Sequence, residues 1–425
     1  MFSQNILQQT ITWNMADLEI FQTMACFVAT ANNRFKDIQN LPGNLGAVAN
    51  YETPPRFGVG DSLVANFQPI QQNARSIAVN QQASVAYAGT AEQIIFNNLD
   101  EYTLRLGDSA MQALATKVEL QVATLCETIP YRFFGNGVVP IASAEQLAQA
   151  LANFRAYSAP PGTIKCYLDL AAVPGIVNSM QNQFTEKRND ANAMSWEVGN
   201  WAGVEYYQST NLPVHYAGTI GQLFGQAGNT LTVVSTNDPT GNYITEITFS
   251  GAGTDANAIK AFDLFQFTAG AGNTPLPTFL QWQGYNNTGL PFQFAATANA
   301  ASSGGNVTVS ITPPICATPG NVNRNVLNNI IAGMTVGVLP TRKCGMLVSD
   351  NALYVAMPAL PSQFPFPSSE ATDPNTKVSV RLYYGNEVFN NTYGWARDCV
   401  FGYDAVPQNT MQLCFPLYVG TGIGM

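Results

Sequence analysis

The chain has 425 residues, of which 46% are hydrophobic and only 11% are charged. This hydrophobic fraction excludes an intrinsically disordered chain, and the length is sufficient for two or three domains. Because a soluble domain usually has about 25% charged residues, the surface of this chain is poor in charge. Such a surface is typical of a subunit that is largely covered by copies of itself.

The charge balance and the hydropathy exclude two further classes. With 18 basic and 27 acidic residues the net charge is -9, which excludes a protein that binds nucleic acid by neutralising phosphates. The longest apolar stretches, such as residues 330–339, are shorter than the roughly 20 residues of a membrane helix. We therefore expect that the chain is not an integral membrane protein. Residues 1–5 lack the features of a secretory signal, and we therefore expect a protein that is made and kept in a cytoplasm.

The cysteine and histidine content argues against metal and disulfide chemistry. Seven cysteines are spread along the chain without a CxxC spacing, which favours reduced, buried thiols. His215 is the only histidine, so a site with several histidine ligands is impossible and a catalytic triad would depend on this residue alone. We interpret His215 as a loop or core residue and expect no metal or other cofactor.

The first hundred residues predict one helix and an extended arm. Apolar residues at spacings of three and four predict an amphipathic helix between Asn14 and Phe35. Gly and Pro interrupt residues 42–69, and alternation then predicts a strand from Ser76 to Tyr87. Residues 56–89 together look like a two-stranded arm with few residues for a core of its own. Such an arm needs a neighbour to lie on.

The next segment predicts an α+β alternation. Residues 109–128 carry one long apolar stripe, with Asp108 or Ser109 placed as the N-cap and Pro130 ending the helix. The elements predicted after it are a helix over Ser143–Tyr157, a strand over Ile164–Leu170 and a helix over Val173–Met180.

Composition changes near Gly225, where Thr, Gly and Asn become frequent. From there to Pro340 the pattern predicts a small β-barrel or sandwich set into the α+β domain, with strands at 231–235, 243–249, 262–268, 279–283 and 307–312. Strands are predicted again at Leu347–Ala356 and Val378–Tyr384.

Four phrases, in this order and spacing, match a known family. They are Pro54–Phe57 (PPRF), Leu114–Ala123 (LATKVELQVA), Val198–Val204 (VGNWAGV) with Asn211–Val214 (NLPV), and Val380–Gly385 (VRLYYG). Through them the chain resembles the major capsid (coat) proteins of tailed bacteriophages with the Hong Kong 97 fold, in the subgroup with an inserted β-barrel domain of the phage P-twenty-two type. The resemblance covers essentially the whole chain.

The resemblance implies a domain layout. It comprises an N-arm (1–50), an E-loop (51–97), the spine helix of the peripheral domain (98–130), an axial domain (131–224 and 341–400), an inserted β-barrel (225–340) and a C-terminal tail (401–425) that returns to the peripheral domain.

The resemblance also implies a function without catalysis. Copies would assemble as hexamers and pentamers into an icosahedral shell that encloses double-stranded DNA without sequence-specific binding. It implies a scaffolding protein and a portal protein as partners and allows for a decoration protein, and it places the protein in the virion capsid after assembly in the host bacterial cytoplasm.

Two features depart from relatives in this family. The chain has no lysine between Lys36 and Lys117, so we expect no isopeptide cross-link through the E-loop. In the relatives of the named type a charged loop of the barrel reaches a neighbouring capsomer, and the equivalent residues 237–242 hold one charge, Asp238. We expect ionic bridging between capsomers to be weaker here or to lie elsewhere.

Six residues are candidates for contacts between subunits. Arg56 and Arg75, at the two ends of the arm, are hypothesised to anchor it to acidic groups of a neighbour; simple solubilising charge is the alternative. Glu186, Lys187 and Arg188 form the densest charged stretch and would either order loops near a capsomer axis or be a solvated loop. The sixth candidate is Asp238.

Two rival functions stay open on the sequence. The first is an encapsulin-like nanocompartment shell, which shares the fold. The second is a β-rich enzyme or carbohydrate-binding adhesin that uses Trp282, Tyr285 and Phe292 as a sugar platform, although burial in a barrel core explains these rings equally well. The acidic pairs Asp100–Glu101 and Glu186–Asp190 are interpreted as charges at helix ends rather than as a general acid and base.

Overall fold

The structure is a computed structural model that describes residues 15–21, 25–32, 46, 48–53, 55–56, 74–90, 99–158, 162–180, 197–223, 229–360, 368–372, 378–387 and 392–417. Residues 15–21 are helical. The further helices are α1 (Cys26–Thr30), α2 (Leu99–Ala123), α3 (Leu125–Thr128), α4 (Ala144–Ser158), α5 (Val173–Met180) and α6 (Thr219–Gln222).

The strands are β1 (Val48–Glu52), β2 (Ala74–Ala78), β3 (Gln81–Thr90), β4 (Phe133–Phe134), β5 (Ile164–Asp169), β6 (Glu197–Trp201), β7 (Val204–Ser209), β8 (Val214–His215), β9 (Thr230–Thr236), β10 (Ile244–Ser250), β11 (Asp255–Ile259), β12 (Leu264–Ala269), β13 (Thr278–Leu280), β14 (Asn287–Pro291), β15 (Gln293–Ala296), β16 (Ala300–Ser303), β17 (Asn306–Ile315), β18 (Thr335–Val338), β19 (Arg342–Ser349), β20 (Leu353–Ala356), β21 (Ser368–Thr372), β22 (Ser379–Glu387), β23 (Thr392–Ala405) and β24 (Thr410–Phe415).

The described residues divide into two units. The first lies within 1–53, 74–123 and 350–405, and the second within 54–73, 124–349 and 406–425. This division differs from the layout that the resemblance implies, which joins 341–400 to 131–224 and returns the tail to the peripheral domain. The physical reason is strand pairing: β23 pairs with β3 and β22 in the first unit, whereas β24 pairs with β19 and β4 in the second.

The long helix α2 organises the first unit. Its buried residues include Met111, Leu114, Val118 and Val122, so the predicted apolar stripe is confirmed. The helix begins at Leu99, ten residues before the predicted start at Ser109. Gly107 lies inside it because the Arg397 guanidinium passes there, and a Cβ at this position would lie 2.6 Å from Arg397 Nη2.

The first unit also holds a five-stranded sheet and a hairpin. The sheet order is β20-β23-β22-β21 with β3 along β23, and β1 pairs with β2. The predicted strand over 76–87 is confirmed, but residues 79–80 divide it into β2 and β3. All ten residues of β3 pair with β23 of the same chain, so this part of the predicted arm has its neighbour within the unit. Residues 57–73 of the arm lie outside the described residues.

A seven-stranded sheet forms one part of the second unit. Its order is β4-β24-β19-β5-β7-β6, with β8 also on β19. α4, β5 and α5 confirm the predicted elements to within one residue at each end. The strand predicted at 347–356 is wrong as one element, because a turn at Asp350–Asn351 separates β19 from β20. Asp and Asn favour turns since their side chains compete with backbone pairing.

A closed barrel forms the other part of the second unit. Six strands follow one another in the order β10-β9-β18-β12-β15-β17, and β17 pairs again with β10 to close the ring. Phe265 and Phe294 stack in its core with ring centroids 4.9 Å apart, and Phe249 lies parallel to both. The predicted barrel is therefore present. The pattern did not predict β15, β16 and β18, because each strand has only four residues, too few for alternation to be distinguished from chance.

The barrel is an insertion into the sheet. β8, just before it, pairs with β19, just after it, through His215 opposite Arg342. The entering and leaving chains also approach closely, since a Cβ on Gly221 would lie 2.5 Å from the carbonyl oxygen of Leu339. Glycine is required at this crossing.

Within the part of the chain that the structure describes, no helix is both long enough and apolar enough to span a membrane.

Candidate assembly residues and a buried polar cluster

Arg56 is buried and binds the loop that follows β13. Its Nε donates to the carbonyl oxygen of Trp282 at 2.8 Å, and Nη2 donates to that of Gln281 at 3.1 Å. The guanidinium carbon also lies 4.1 Å from the ring centroid of Tyr285 and 5.1 Å from that of Trp282. Arg56 thus anchors its segment through carbonyl groups and aromatic faces of the same unit, where the sequence predicted acidic groups of a neighbour.

The aromatic platform proposed for sugar binding is occupied. The faces of Trp282 and Tyr285 carry the Arg56 guanidinium, and the Tyr285 hydroxyl donates to the carbonyl oxygen of Val322 at 2.8 Å. Phe292 is completely buried and packs against Phe279. A sugar ring would have to displace a buried guanidinium to stack on these residues.

Arg75 forms a two-pronged ion pair with Asp404 in the first unit. Nε donates to Oδ2 and Nη2 donates to Oδ1, each at 2.9 Å. The Tyr51 hydroxyl donates to the same Oδ2 at 2.8 Å. Burial, followed by the Asp404 carboxylate, raises the pKa of Tyr51. The acidic partner predicted for Arg75 therefore lies in the same unit, and a role in a subunit contact stays a prediction.

Asp238 organises its own turn. Its carboxylate accepts hydrogen bonds from the backbone N–H groups of Thr240, Asn242 and Tyr243, at 2.9, 3.1 and 2.9 Å. These bonds, with the Thr240 hydroxyl contributing most, lower the pKa of Asp238. The carboxylate is thus engaged locally.

Several predicted residues lie outside the described parts of the chain. They are Glu186, Lys187 and Arg188, together with Asp190. Asp100 and Glu101 fall in the first turn of α2, as predicted for charges at a helix end, and their side chains are not described.

His215 lies at the centre of a buried polar cluster in the second unit. Nδ1 lies 2.9 Å from Glu127 Oε1, and Nε2 lies 2.8 Å from Asp263 Oδ1. The other oxygen of Asp263 accepts the backbone N–H groups of Gly218 and Lys260, at 3.1 and 2.7 Å. His215 and Asp263 are 2% and 0% exposed, so the contacts are shielded from water.

The geometry of the cluster suits a structural role for His215 and does not suit a catalytic base. A carboxylate faces each ring nitrogen, so both nitrogens are engaged within the cluster. A histidine of a catalytic triad instead turns one nitrogen to a nucleophile. The interpretation of His215 as a core residue is confirmed, but the two carboxylates beside it were not predicted.

Arg342 is a second buried polar side chain in the second unit. Arg342 is 0% exposed and donates from Nε to Gln412 Oε1 at 2.7 Å and from Nη2 to the carbonyl oxygen of Phe262 at 3.1 Å. Gln412 Nε2 donates in turn to the carbonyl oxygen of Cys126 at 2.7 Å. These contacts join β19, β24 and the barrel residue before Asp263, so polar bonds fix the barrel to the sheet.

The cysteines are buried free thiols, as predicted. Burial raises the pKa of Cys344 to about 12 and of Cys414 to about 11, and these two residues lie opposite each other on β19 and β24. Thiols of this kind are poor metal ligands and poor nucleophiles. Among the described residues no group of His, Cys, Asp and Glu is arranged to hold a metal ion.

Comparisons by sequence find no relative of the chain. No protein-family model matches it, and no curated protein matches it.

Comparisons by structure find shell proteins. The capsid of Ralstonia phage GP4 is 7% identical, over 93% of this chain and 90% of that chain, with a TM-score of 0.43. The capsid structure of the cyanophage P-SCSP1u is 10% identical, over 89% and 85%, with a TM-score of 0.38. A virus-like particle from Pyrococcus furiosus is 7% identical, over 95% and 97%, with a TM-score of 0.37. All three TM-scores are below 0.5, and these likenesses alone do not assign a function to the chain.

Proposed function

We propose that this chain is the major capsid protein of a tailed bacteriophage. It has no catalytic role and self-assembles as hexamers and pentamers into an icosahedral shell that encloses the double-stranded DNA genome. A scaffolding protein and a portal protein are its expected partners, and a decoration protein is compatible with the proposal. Assembly in the host bacterial cytoplasm and a final place in the virion capsid follow from it.

One observation carries the proposal: a closed barrel interrupts a sheet whose strands continue on both sides of it. β8 and β19 pair directly, so the barrel of residues 229–338 is inserted between neighbouring strands of one sheet. An insertion of a barrel at this place in the chain is the distinguishing feature of the family subgroup that the sequence resembles.

The domain layout of the Hong Kong 97 fold is part of the proposal, with revised bounds. We assign α2 as the spine helix and the first unit as the peripheral domain with the N-arm and E-loop strands. The sheet of the second unit is then the axial domain, and the barrel is its insertion. Residues 350–405 move to the peripheral domain and 406–417 to the axial domain, because β23 and β24 pair there.

The surface supports self-association. Charged residues make up 11% of the chain, and several large apolar side chains are half exposed, among them Val138 at 52%, Val139 at 54% and Tyr216 at 61%. Asn136 Oδ1 accepts the N–H groups of Val138 and Val139, at 3.0 and 2.8 Å, and so holds the two valines in an ordered loop. Exposed apolar side chains held in an ordered loop are suited to interfaces between copies.

Assembly of the full chain tests the proposal. The chain is expressed with and without its scaffolding partner, separated on a sucrose gradient, and the fast fraction is imaged by negative-stain electron microscopy. The scaffolding partner expressed alone is the control. Closed shells of uniform diameter, particularly shells that are uniform only with the partner, support the capsid function.

Other outcomes contradict the proposal. A slow, monodisperse monomer under every condition contradicts self-assembly and favours a binding protein. Uniform shells that form without a scaffold and load a bacterial enzyme instead of DNA favour the nanocompartment rival.

A further inference from the structure

A cavity of about 200 Å³ lies in the second unit between β4, α4 and the barrel. Its walls are mostly apolar and include Phe133, Phe279 and Leu290. Phe134, Asn153 and Leu290 are only partly buried, so the cavity is open to small molecules from solvent. The volume exceeds that of several water molecules, since one occupies about 30 Å³ in the liquid.

Arg132 lines this cavity and is 2% exposed. Its Nη2 donates to the carbonyl oxygens of Gln408 and Thr410, at 2.9 and 3.1 Å. Its Nε and Nη1 have no hydrogen-bond partner among the described residues. Since Nε carries one N–H and Nη1 carries two, three of the five N–H bonds of a buried guanidinium lack an acceptor.

Among the described residues no carboxylate pairs with the charge of Arg132. The neighbours that act on it electrostatically are Tyr131 and Tyr157, and the guanidinium carbon lies 4.2 Å from the Tyr157 ring centroid. Burial accordingly lowers the pKa of Arg132. The other buried arginines have more hydrogen-bond or ionic partners. Arg342 bonds from three nitrogens, Arg56 bonds from two, and Arg397 pairs with Asp17. A buried cation is destabilising unless an anion neutralises its charge or acceptors take up its hydrogen bonds.

Polar side chains line the cavity beside Arg132. Gln293 accepts the backbone N–H of Phe133 through Oε1 at 2.9 Å and donates from Nε2 to Gln266 Oε1 at 3.0 Å. These bonds hold Gln293 and Gln266 in place on the barrel wall. Asn153 contributes a further amide from α4.

We propose that this cavity is a binding site for a small oxyanion, with Arg132 as its cationic ligand. Phosphate, sulfate and small carboxylates share the required chemistry, a compact negative group with several acceptor oxygens. The anion accepts N–H bonds of the Arg132 guanidinium and supplies the charge that the protein lacks at this point. Because the cavity is lined by β4, α4 and the barrel, the bound ion links three elements of the unit. This inference does not depend on the capsid function.

Equilibrium dialysis of the purified full chain tests the site, with radiolabelled inorganic phosphate and radiolabelled acetate as separate probes at constant ionic strength in chloride. We expect about one ion per chain with saturation, and a Tm that rises with ion concentration because the ligand binds the folded state. Saturable binding of phosphate alone identifies a tetrahedral oxyanion site. Saturable binding of acetate, alone or with phosphate, identifies a site that takes carboxylates.

Two variants and a control assign the binding to Arg132. Arg132→Met keeps the length of the side chain, and we expect at least a tenfold loss of ion affinity and no rise of Tm with either ion, since the cation is removed. Leu290→Phe fills the cavity and leaves Arg132 in place, so it should also weaken binding, and it decides the question if Arg132→Met does not fold. Arg155→Met, at an exposed arginine of α4, should bind like the unchanged chain.

Three results overturn the site. The first is that neither ion binds the unchanged chain with a defined stoichiometry. The second is that Arg132→Met and Leu290→Phe bind both ions as tightly as the unchanged chain. The third is a fall of Tm for Arg132→Met in every buffer together with no response of the unchanged chain's Tm to the ions, which would show a purely structural arginine satisfied by water.

Discussion

The carboxylate of Glu119, in the middle of α2, accepts the backbone N–H of Phe27, which lies 2.9 Å from Oε1 and 3.1 Å from Oε2. Glu119 is 1% exposed, and its oxygens accept hydrogen bonds from backbone amides of the short helix α1. Burial raises the pKa of Glu119 to about 8, although the hydrogen bonds from backbone amides of α1 act in the opposite direction. The residue therefore couples the packing of two helices to pH.

We expect the stability of the chain to fall as the pH rises from about 5 to 9, in part through Glu119. Between the ordinary pKa of 4.5 and the raised value near 8, the folded state holds a proton that the unfolded state has released, so rising pH favours unfolding. Glu119→Gln keeps an acceptor for the amides without a charge. Urea denaturation at pH 5, 7 and 9 should show a variant close to the unchanged chain at pH 5 and more stable at pH 9, by a few kcal/mol.

The control for this effect is Glu145→Gln, at an exposed glutamate of α4, which should leave the pH dependence unchanged. Parallel stability curves for Glu119→Gln and the unchanged chain would show that Glu119 does not titrate in this range.

Removal of the His215 side chain should be strongly destabilising. His215→Ala leaves carboxylate oxygens of Glu127 and Asp263 without the side chain that lies between them, and a buried polar group without its hydrogen-bond partner costs about 1 to 3 kcal/mol, and more where it is charged. Adding Asp263→Asn should recover part of the loss, since one unpaired charge is then removed. The measurement is the urea midpoint followed by circular dichroism.

Tyr216→Ala is the control for His215→Ala. Because Tyr216 is 61% exposed, its substitution should change the free energy of unfolding by no more than about 0.5 kcal/mol. A His215→Ala variant as stable as Tyr216→Ala would contradict the role of the cluster.

The pair of Arg75 and Asp404 should depend on geometry as well as charge. Arg75→Lys keeps the positive charge but cannot donate to both carboxylate oxygens in the same way, so we expect a lower Tm than for the unchanged chain and a higher one than for Arg75→Ala. A double-mutant cycle with Asp404→Asn should give a coupling energy on the order of 1 kcal/mol. Normal melting and normal shell yield for Arg75→Ala would exclude an anchoring role, within the chain or between subunits.

Loss of the Arg56 side chain should uncover two aromatic faces. Arg56→Ala removes the guanidinium from Trp282 and Tyr285 together with two hydrogen bonds, and we expect a loss of about 1 to 3 kcal/mol. Acrylamide quenching of tryptophan fluorescence should increase. Arg56→Lys keeps a cation over the rings, so its quenching should lie between that of the unchanged chain and that of Arg56→Ala. Equal quenching in all three proteins would contradict the contact between Arg56 and Trp282.

Sequence patterns predicted those elements that have a strong local signal. The stripe of α2 is visible because Leu114, Val118 and Val122 recur at helical spacing, and the same holds for α4. The start of α2 was placed too late because the residues after Leu99 are less regularly apolar. Short barrel strands such as Ala300–Ser303 have no alternation of large apolar residues, and only their pairing with β11 and β17 defines them.

The polar cluster could not be predicted, for a different reason. Glu127 and His215 are 88 residues apart, and His215 and Asp263 are 48 apart. Each residue type at its own position is compatible with an ordinary helix end or loop, and only the fold brings the three together. A lone histidine in an α+β segment was the one usable signal. Anchoring of Arg56 to a neighbouring subunit stays a prediction, and its carbonyl and aromatic partners within the unit, 225 to 229 residues away, have no local pattern.

The position of β24 in the sheet has a consequence during synthesis on the ribosome. β24 lies between β4 and β19, and Gln412 in its centre bonds to Arg342 and to the backbone of Cys126. Residues 124–349 can therefore emerge and close their barrel, but the sheet lacks an internal strand until residue 415 has left the exit tunnel. The sheet of the second unit therefore stays incomplete until β24 has been synthesised and has entered between its two neighbours.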